Sequence, residues 1–316
     1  MLHTTVFSTH FTNQKLWSIF LGARFNRVPR CENCNSDRVY KPNDTTYRCR
    51  RCWSQFRLET GTFLARKRLS FRLWYDLVYG FAVGLSARRL QRILHLPDYR
   101  IVYGAYRTIR AALIQESEHH RQKFTGTVEV DESYYGGAFK NLRKETRRKF
   151  RLQGLAKRGR GAKVRKQPVF GIFKRDGKIY LELIPDAQQP TLEQIIKRRV
   201  RKHEHVFSDT HTGYQGLVAM GYIHRTINHG DEEYVNGTVH INGMEGFWGL
   251  SKTNMHTYKG IRKRNWNEYL KEMEFRYNER SLSLMTIELE QKMAFLPFLN
   301  RLVTIGRTIH RDAFVG

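Results

Sequence analysis

From Ser70 to about Gln115 apolar residues recur at three and four, with Leu73, Trp74, Leu77, Val78 and Phe81 on one helix face. Ser86 is placed to cap a short second helix that ends near His95. Leu96-Pro97-Asp98 supplies a turn, and a third helix carries Tyr99, Arg100, Tyr103, Tyr106, Arg107 and Arg110. Further on the pattern becomes strand-like. Thr127 to Asp131 alternates, Pro168–Lys174 and Lys178–Ile184 form two apolar runs, and Asp176-Gly177 between them is a hairpin signal. A helix over Thr191–Val200, a strand over His205–Asp209, a helix over Gly213–Met220, a strand over Ile223–Ile227 and a helix carrying Glu245 follow. Ile287–Val303 reads as one more amphipathic helix.

Three antiparallel strands, then helix, strand, helix, strand and helix, is the order of a ribonuclease-H-like core. The expected class is therefore α/β: a mixed five-stranded sheet with helices, preceded by smaller modules. The expected division is a segment over 1–27, a cysteine module over 28–58, a helical region over 60–120, the core over 124–285 and a terminal helix and tail over 286–316.

Charge sets the partner. Among 316 residues, Lys plus Arg is 56 and Asp plus Glu is 29, a net charge of +27, with 40% hydrophobic residues to build a core. That excess marks a polyanion partner and says little about fold. No apolar run approaches the roughly 18 residues needed to cross a bilayer. The first 17 residues lack a basic start followed by an apolar stretch, so no secretory signal is expected. A cytoplasmic, nucleoid-associated protein acting on double-stranded DNA is the expectation, with no membrane partner.

Cys31, Cys34, Cys49 and Cys52 read C-x2-C-x14-C-x2-C. Two matched knuckles offer four thiolates, a closed tetrahedral site for structural zinc with no position left for substrate. Disulfides and a redox C-x-x-C are the competing readings, disfavoured by the missing signal and by the doubled motif. Arg48, Arg50, Arg51 and Trp53 beside the second knuckle suggest DNA contact, or else a solvated charge run. The short helix, turn and basic third helix outline a helix-turn-helix whose last helix would enter the major groove, with Arg100, Arg107 and Arg110 on DNA. A plain helical bundle linking two domains gives the same pattern. Between residues 138 and 166, 13 Lys or Arg face one acid, Glu145, in an insertion suited to phosphate. Arg147, Arg148, Lys149, Arg158 and Arg160 are its candidate DNA contacts; a floppy solvated loop is the alternative.

In so basic a chain, carboxylates in apolar contexts are informative. Asp131 would lie on the first core strand, Asp209 at the end of the fourth and Glu245 on a helix facing both. Asp131 and Glu132 should point to opposite strand faces. Three converging carboxylates need cations, and two magnesium or manganese ions about 3.5–4 Å apart would support in-line phosphoryl transfer. Asn242-x-x-Glu245 also fits a helix capping box, and Asp209 also fits a simple turn. His211 and His240 fit side chains beside the site better than metal ligands, and Phe247 and Trp248 fit the core.

Asp131-Glu132-Ser133-Tyr134-Tyr135-Gly136-Gly137, Ser208-Asp209 with Tyr214, and His240-Ile241-Asn242-Gly243-Met244-Glu245-Gly246-Phe247-Trp248 to Lys252 resemble the ISXO-like transposases of prokaryotic insertion sequences. The run from Tyr269 to Arg280 resembles that family's ending, so the likeness spans about Arg30 to Arg280. It implies an N-terminal zinc ribbon, a helical DNA-binding region and a DDE-type ribonuclease-H-like core. It implies Asp131, Asp209 and Glu245 as the triad, with 35 residues between the last two. Some relatives carry asparagine in the third place, which leaves Asn242 as the alternative to Glu245. Lys252, two turns after Glu245 on the same helix face, would hold a phosphate. The implied activity is binding of transposon ends, strand cleavage and strand transfer into target DNA by a homodimer or larger assembly. A nuclease or resolvase that does not join strands, and a DNA-binding regulator without catalysis, are the rival readings.

Overall fold

The computed structural model of the chain describes residues 12–280 except 13, 15, 17, 19, 22–27, 44–45, 58, 61–68, 120–121, 137–142, 154–165, 176, 228–241 and 259. The amphipathic helix expected over Ile287–Val303, much of the basic insertion, and the candidates Arg158, Arg160 and His240 lie outside these residues. The chain divides into two compact units, residues 1–120 with 279–316, and residues 121–278.

In the first unit, β1 (Val39–Asn43), β2 (Thr46–Cys49) and β3 (Gln55–Arg57) form an antiparallel sheet in the order β1-β2-β3. The two cysteine turns are built alike. Asn35 N–H donates to the Cys31 carbonyl at 2.9 Å, and Trp53 N–H to the Cys49 carbonyl at 3.0 Å. Asn35 (φ 55°) and Trp53 (φ 62°) both take the left-handed conformation that turns each loop back on its thiols. Three helices follow: α1 (Phe71–Ala82), α2 (Ala87–Ile93) and α3 (Tyr99–His119). Ser70 and Ser86 cap the first two, accepting from Leu73 N–H at 3.2 Å and Arg89 N–H at 3.3 Å. Both end in the same motif, with left-handed Gly84 (φ 77°) or His95 (φ 50°) just past the helix. Leu85 N–H then reaches the Gly80 carbonyl and Leu96 N–H the Gln91 carbonyl. Leu77, Val78, Phe81, Leu90, Val102 and Ile109 are fully buried where α1 and α2 pack on α3. Gly80 permits the close approach, since a Cβ there would lie 2.4 Å from Leu90 Cδ2.

The second unit is built on β4 (Val128–Tyr135), β5 (Gln167–Lys174), β6 (Lys178–Leu183), β7 (His205–Asp209) and β8 (Ile223–Ile227). The sheet order is β6-β5-β4-β7-β8. β5 is antiparallel to β4 and β6, whereas β7 is parallel to β4 and β8. The mixed five-stranded α/β arrangement agrees with the sequence expectation. α4 (Lys144–Leu152), α5 (Gln189–Arg199), α6 (Asn242–Thr257) and α7 (Trp266–Asn278) complete the unit. On one sheet face Val128, Val130, Phe170 and Ile172 pack with Leu192 and Ile196 of α5. On the other, Tyr135, Val169 and Phe173 pack with Met244, Phe247 and Trp248 of α6 and Leu270 of α7. This alternation is the two-residue period of a sheet buried on both sides.

One local expectation is corrected. Residues 213–220 do not form an α-helix: a single 3-10 turn, Thr212–Tyr214, leads into successive turns. Gly213 and Gly216 each cost a helix about 1 kcal/mol against Ala, and Gly221 (φ 88°), just past the expected helix, is left-handed. The basic insertion is not all loop, because α4 lies within it and buries none of its side chains. Glu145 in its first turn and Lys149 and Arg151 in its last complement the helix dipole.

Candidate functional site

The four cysteines are one cluster. Their sulfurs all lie within 4.8 Å of one another, with Cys31 to Cys52 at 3.5 Å and Cys34 to Cys49 at 3.6 Å. The Ser54 hydroxyl lies 3.1 Å from both Cys31 and Cys52. The hydrogen bond with Ser54 draws the Cys52 thiol down to about 5, so one thiolate is ready for a cation. The remaining protons would leave as a metal binds. Four sulfurs at this spacing suit zinc and form a closed set.

Asp131 lies in the middle of β4 on the face toward α6. Its Oδ2 accepts the Trp248 indole N–H at 2.9 Å. Burial, helped by the charges of Asp209 and Glu245, pushes its carboxyl up to about 6 against hydrogen bonds from the Glu132 backbone and the indole. Asp131 on β4 thus feels the charges of both other acids, which arise from the end of β7 and from the first turn of α6. Among the described residues, only the cysteines form a His/Cys/Asp/Glu group close enough to hold a metal ion, so the three acids stand further apart than direct ligation requires. Asp209 also closes its own turn, its Oδ1 accepting His211 N–H at 3.0 Å. His211 in turn accepts Gly213 N–H through Nδ1 at 3.1 Å. Glu245 and Lys252 are both exposed on α6, seven residues apart and on one helix face. Asn242 is the exposed first residue of that helix.

Glu132 points to the opposite face, where Tyr214 Oη donates to its Oε1 at 2.7 Å. Burial raises its carboxyl to about 8, with Asp131 and Asp209 adding to the effect against the Tyr214 bond. Glu132 is thus held closer to its neutral form than Asp131 is.

Two glycines let α6 lie low on the sheet. Gly171 is paired with Asp131 across β4 and β5, and a Cβ there would meet Met244 Cε at 2.1 Å and Trp248 Cζ2 at 2.9 Å. A Cβ on Gly243 would lie 2.2 Å from the Phe173 ring. Trp248 was expected to be core, and it is buried, but its indole N–H gives it a polar task that an apolar pattern conceals. Glu129 was missed entirely. It is buried two residues before Asp131 on the same strand face, and its Oε2 accepts Met244 N–H at 3.0 Å. An acid spaced by two from a candidate acid in a strand was the signal that would have found it.

The basic candidates divide. Arg100 and Arg107 are exposed on α3, with Arg100 paired to Asp98. Arg110 is corrected: it is 3% exposed, its guanidinium 5.8 Å from the Tyr106 ring centroid and 5.9 Å from that of Phe81, so it packs inside the helical unit. Arg148 and Lys149 are exposed on α4, and Arg147 is half-buried.

The sequence pattern of the ISXO2-like transposase domain matches residues 123–278. Over 276 residues the chain is 25% identical to a protein in transposable element ISH50 of Halobacterium salinarum, covering 85% of this chain and 92% of that one. Over 114 residues it is 32% identical to a transposase-like protein of Haemophilus influenzae, covering 36% of this chain and 92% of that one.

Proposed function

The chain belongs to the ISXO2-like transposase family, and we propose that it is a DDE-type transposase that cleaves transposon ends and transfers the freed strand into target DNA. The observation carrying this is that the charges of Asp209 and Glu245 both act on the buried Asp131, three acids drawn from separate elements of a strongly basic chain. The sheet order β6-β5-β4-β7-β8, with β5 running opposite to the other four strands, supports assignment of the second unit to the ribonuclease-H-like fold.

An all-oxygen donor set fits magnesium or manganese, and the raised Asp131 carboxyl marks a site that a cation would relieve. Bound there, two such ions would activate water or a 3′-hydroxyl and stabilise the leaving oxygen. Asp131, held by the Trp248 indole, would offer its carboxylate to such a cation, with Asp209 and Glu245 as the further oxygen donors. Lys252 engages a phosphate along α6. Because the attacking oxygen comes from water or DNA, no protein nucleophile is required.

The cysteine module holds zinc as a structural ion. Exposed Trp53, with Arg48 5.4 Å from its ring centroid, supports that module as a DNA contact. Arg100 and Arg107 would present α3 to DNA, and Arg147, Arg148 and Lys149 would neutralise phosphates without reading sequence. Joining two ends requires at least a homodimer on DNA, working at the nucleoid.

The test is a strand-joining assay with the full chain, duplexes carrying the element ends, and magnesium or manganese. Joined products that disappear in Asp131→Asn, while end binding persists, are expected. Cleavage without joining would make the protein a nuclease, and products surviving Asp131→Asn would refute the site.

A further inference from the structure

Glu129 sits in β4 with 0% exposure, a place where an ionised side chain survives only with strong partners. Two of its partners come from distant parts of the chain. Oε2 accepts the backbone N–H of Met244, in the first turn of α6, at 3.0 Å. Oε1 accepts Arg175 Nε at 3.2 Å as an ion pair. The Arg175 guanidinium in turn lies 4.5 Å from the centroid of the Phe207 ring in β7.

These contacts follow the three candidate acids residue for residue. Glu129 is two residues before Asp131, Phe207 is two before Asp209, and Met244 is one before Glu245. Glu129 and Phe207 are also register partners across the parallel β4–β7 pair. The buried group therefore lies one strand repeat below the carboxylates and touches the carriers of all three.

The contact to α6 has a direct physical reason. First-turn N–H groups of a helix have no acceptor within the helix, and negative charge is favoured at that end. Gly243 lets this turn settle onto Phe173, the register partner of Glu129 on β5, which brings Met244 N–H within reach.

We propose that Glu129 is a positioning residue: a cap supplied from β4 to the first turn of α6 that fixes Glu245 against Asp131, with Arg175 extending the hold toward Asp209. This rests on the metal-binding reading of the three acids.

The test compares Glu129→Ala, Glu129→Gln and Gly243→Ala in the full chain, by amide exchange over residues 242–250 and by calorimetric titration with manganese alone. Glu129→Ala should speed exchange in that segment about tenfold, leave α5 and β6 unchanged, and weaken manganese binding about tenfold. Glu129→Gln keeps an oxygen for Met244 N–H and should stay within about threefold of the parent in both readouts. Should Glu129→Ala fail to fold, Gly243→Ala decides, since it lifts the turn with Glu129 intact and should reproduce the loss. Faster exchange throughout the unit, or manganese binding that depends on Asp131 yet survives both Glu129→Ala and Gly243→Ala, would overturn the proposal. Manganese binding indifferent to Asp131→Asn would instead remove the metal site, and with it the purpose assigned to Glu129.

Discussion

Replacing Trp248 with Phe removes one N–H from beside Asp131 and keeps most of the ring. The lost bond spans 2.9 Å and ends on a carboxylate. Hydrogen bonds to charged groups contribute about 1.5–3 kcal/mol, and about 1.4 kcal/mol corresponds to one pH unit in a carboxyl pKa. The Asp131 carboxyl, already up at about 6, should therefore rise further in the variant. The sign follows from competition between a proton and a metal. In the parent, manganese affinity falls as pH drops through about 6. In Trp248→Phe the fall should begin roughly one to two pH units higher, leaving affinity near pH 7 about twofold to tenfold weaker. Loss of packing behind the smaller ring would weaken binding equally at every pH, so the two effects separate. Titration with manganese from pH 5.5 to 9 is the assay. A midpoint that stays put or moves down would refute the role given to the indole.

The chain should carry one zinc, which Cys49→Ser releases. Elemental analysis reads the loss, and exchange in residues 121–278 should not change with it. Burial raises Glu132 to about 8, so the folded state holds a proton that the unfolded state releases above its ordinary range, and stability falls as pH climbs through that window. Glu132→Gln should accordingly melt above the parent at pH 8.5, with the gap closing by pH 5; a constant gap would refute the shift. Arg107→Ala should weaken DNA binding and lower the salt slope by about one. Arg110→Ala should instead lower the melting temperature, with a cost of about 2 kcal/mol from its stacked, buried position.

Much of this architecture was legible because it is local. Alternation identified β4, apolar runs identified β5 and β6, and cysteine spacing identified the cluster. Where local pattern and tertiary context compete, the reading failed. Arg110 follows Arg107 in a basic helix, yet it lies four residues after Tyr106 and turns inward to the Tyr106 and Phe81 rings. Glycine at 213 and 216 outweighed the apolar spacing that suggested a helix there. Trp248 has the pattern of a core residue, and its polar role depends on Gly171 of β5 letting α6 come close. Glu129 becomes visible only when strand, helix and hairpin are assembled, because its partners are 46 and 115 residues away in sequence. The relation of Asp131 to Asp209 likewise depends on β7 pairing in parallel with β4, a non-local choice.

The central claim is that Asp131, Asp209 and Glu245 are the ligands of a two-metal site. A crystal of the full chain soaked in manganese, with anomalous scattering recorded, tests it directly. The account predicts two peaks about 3.5–4 Å apart, with oxygens of all three side chains drawn in to about 2.1–2.2 Å. Peaks confined to the cysteine cluster, or a site completed by Asn242 with Glu245 turned away, would contradict it.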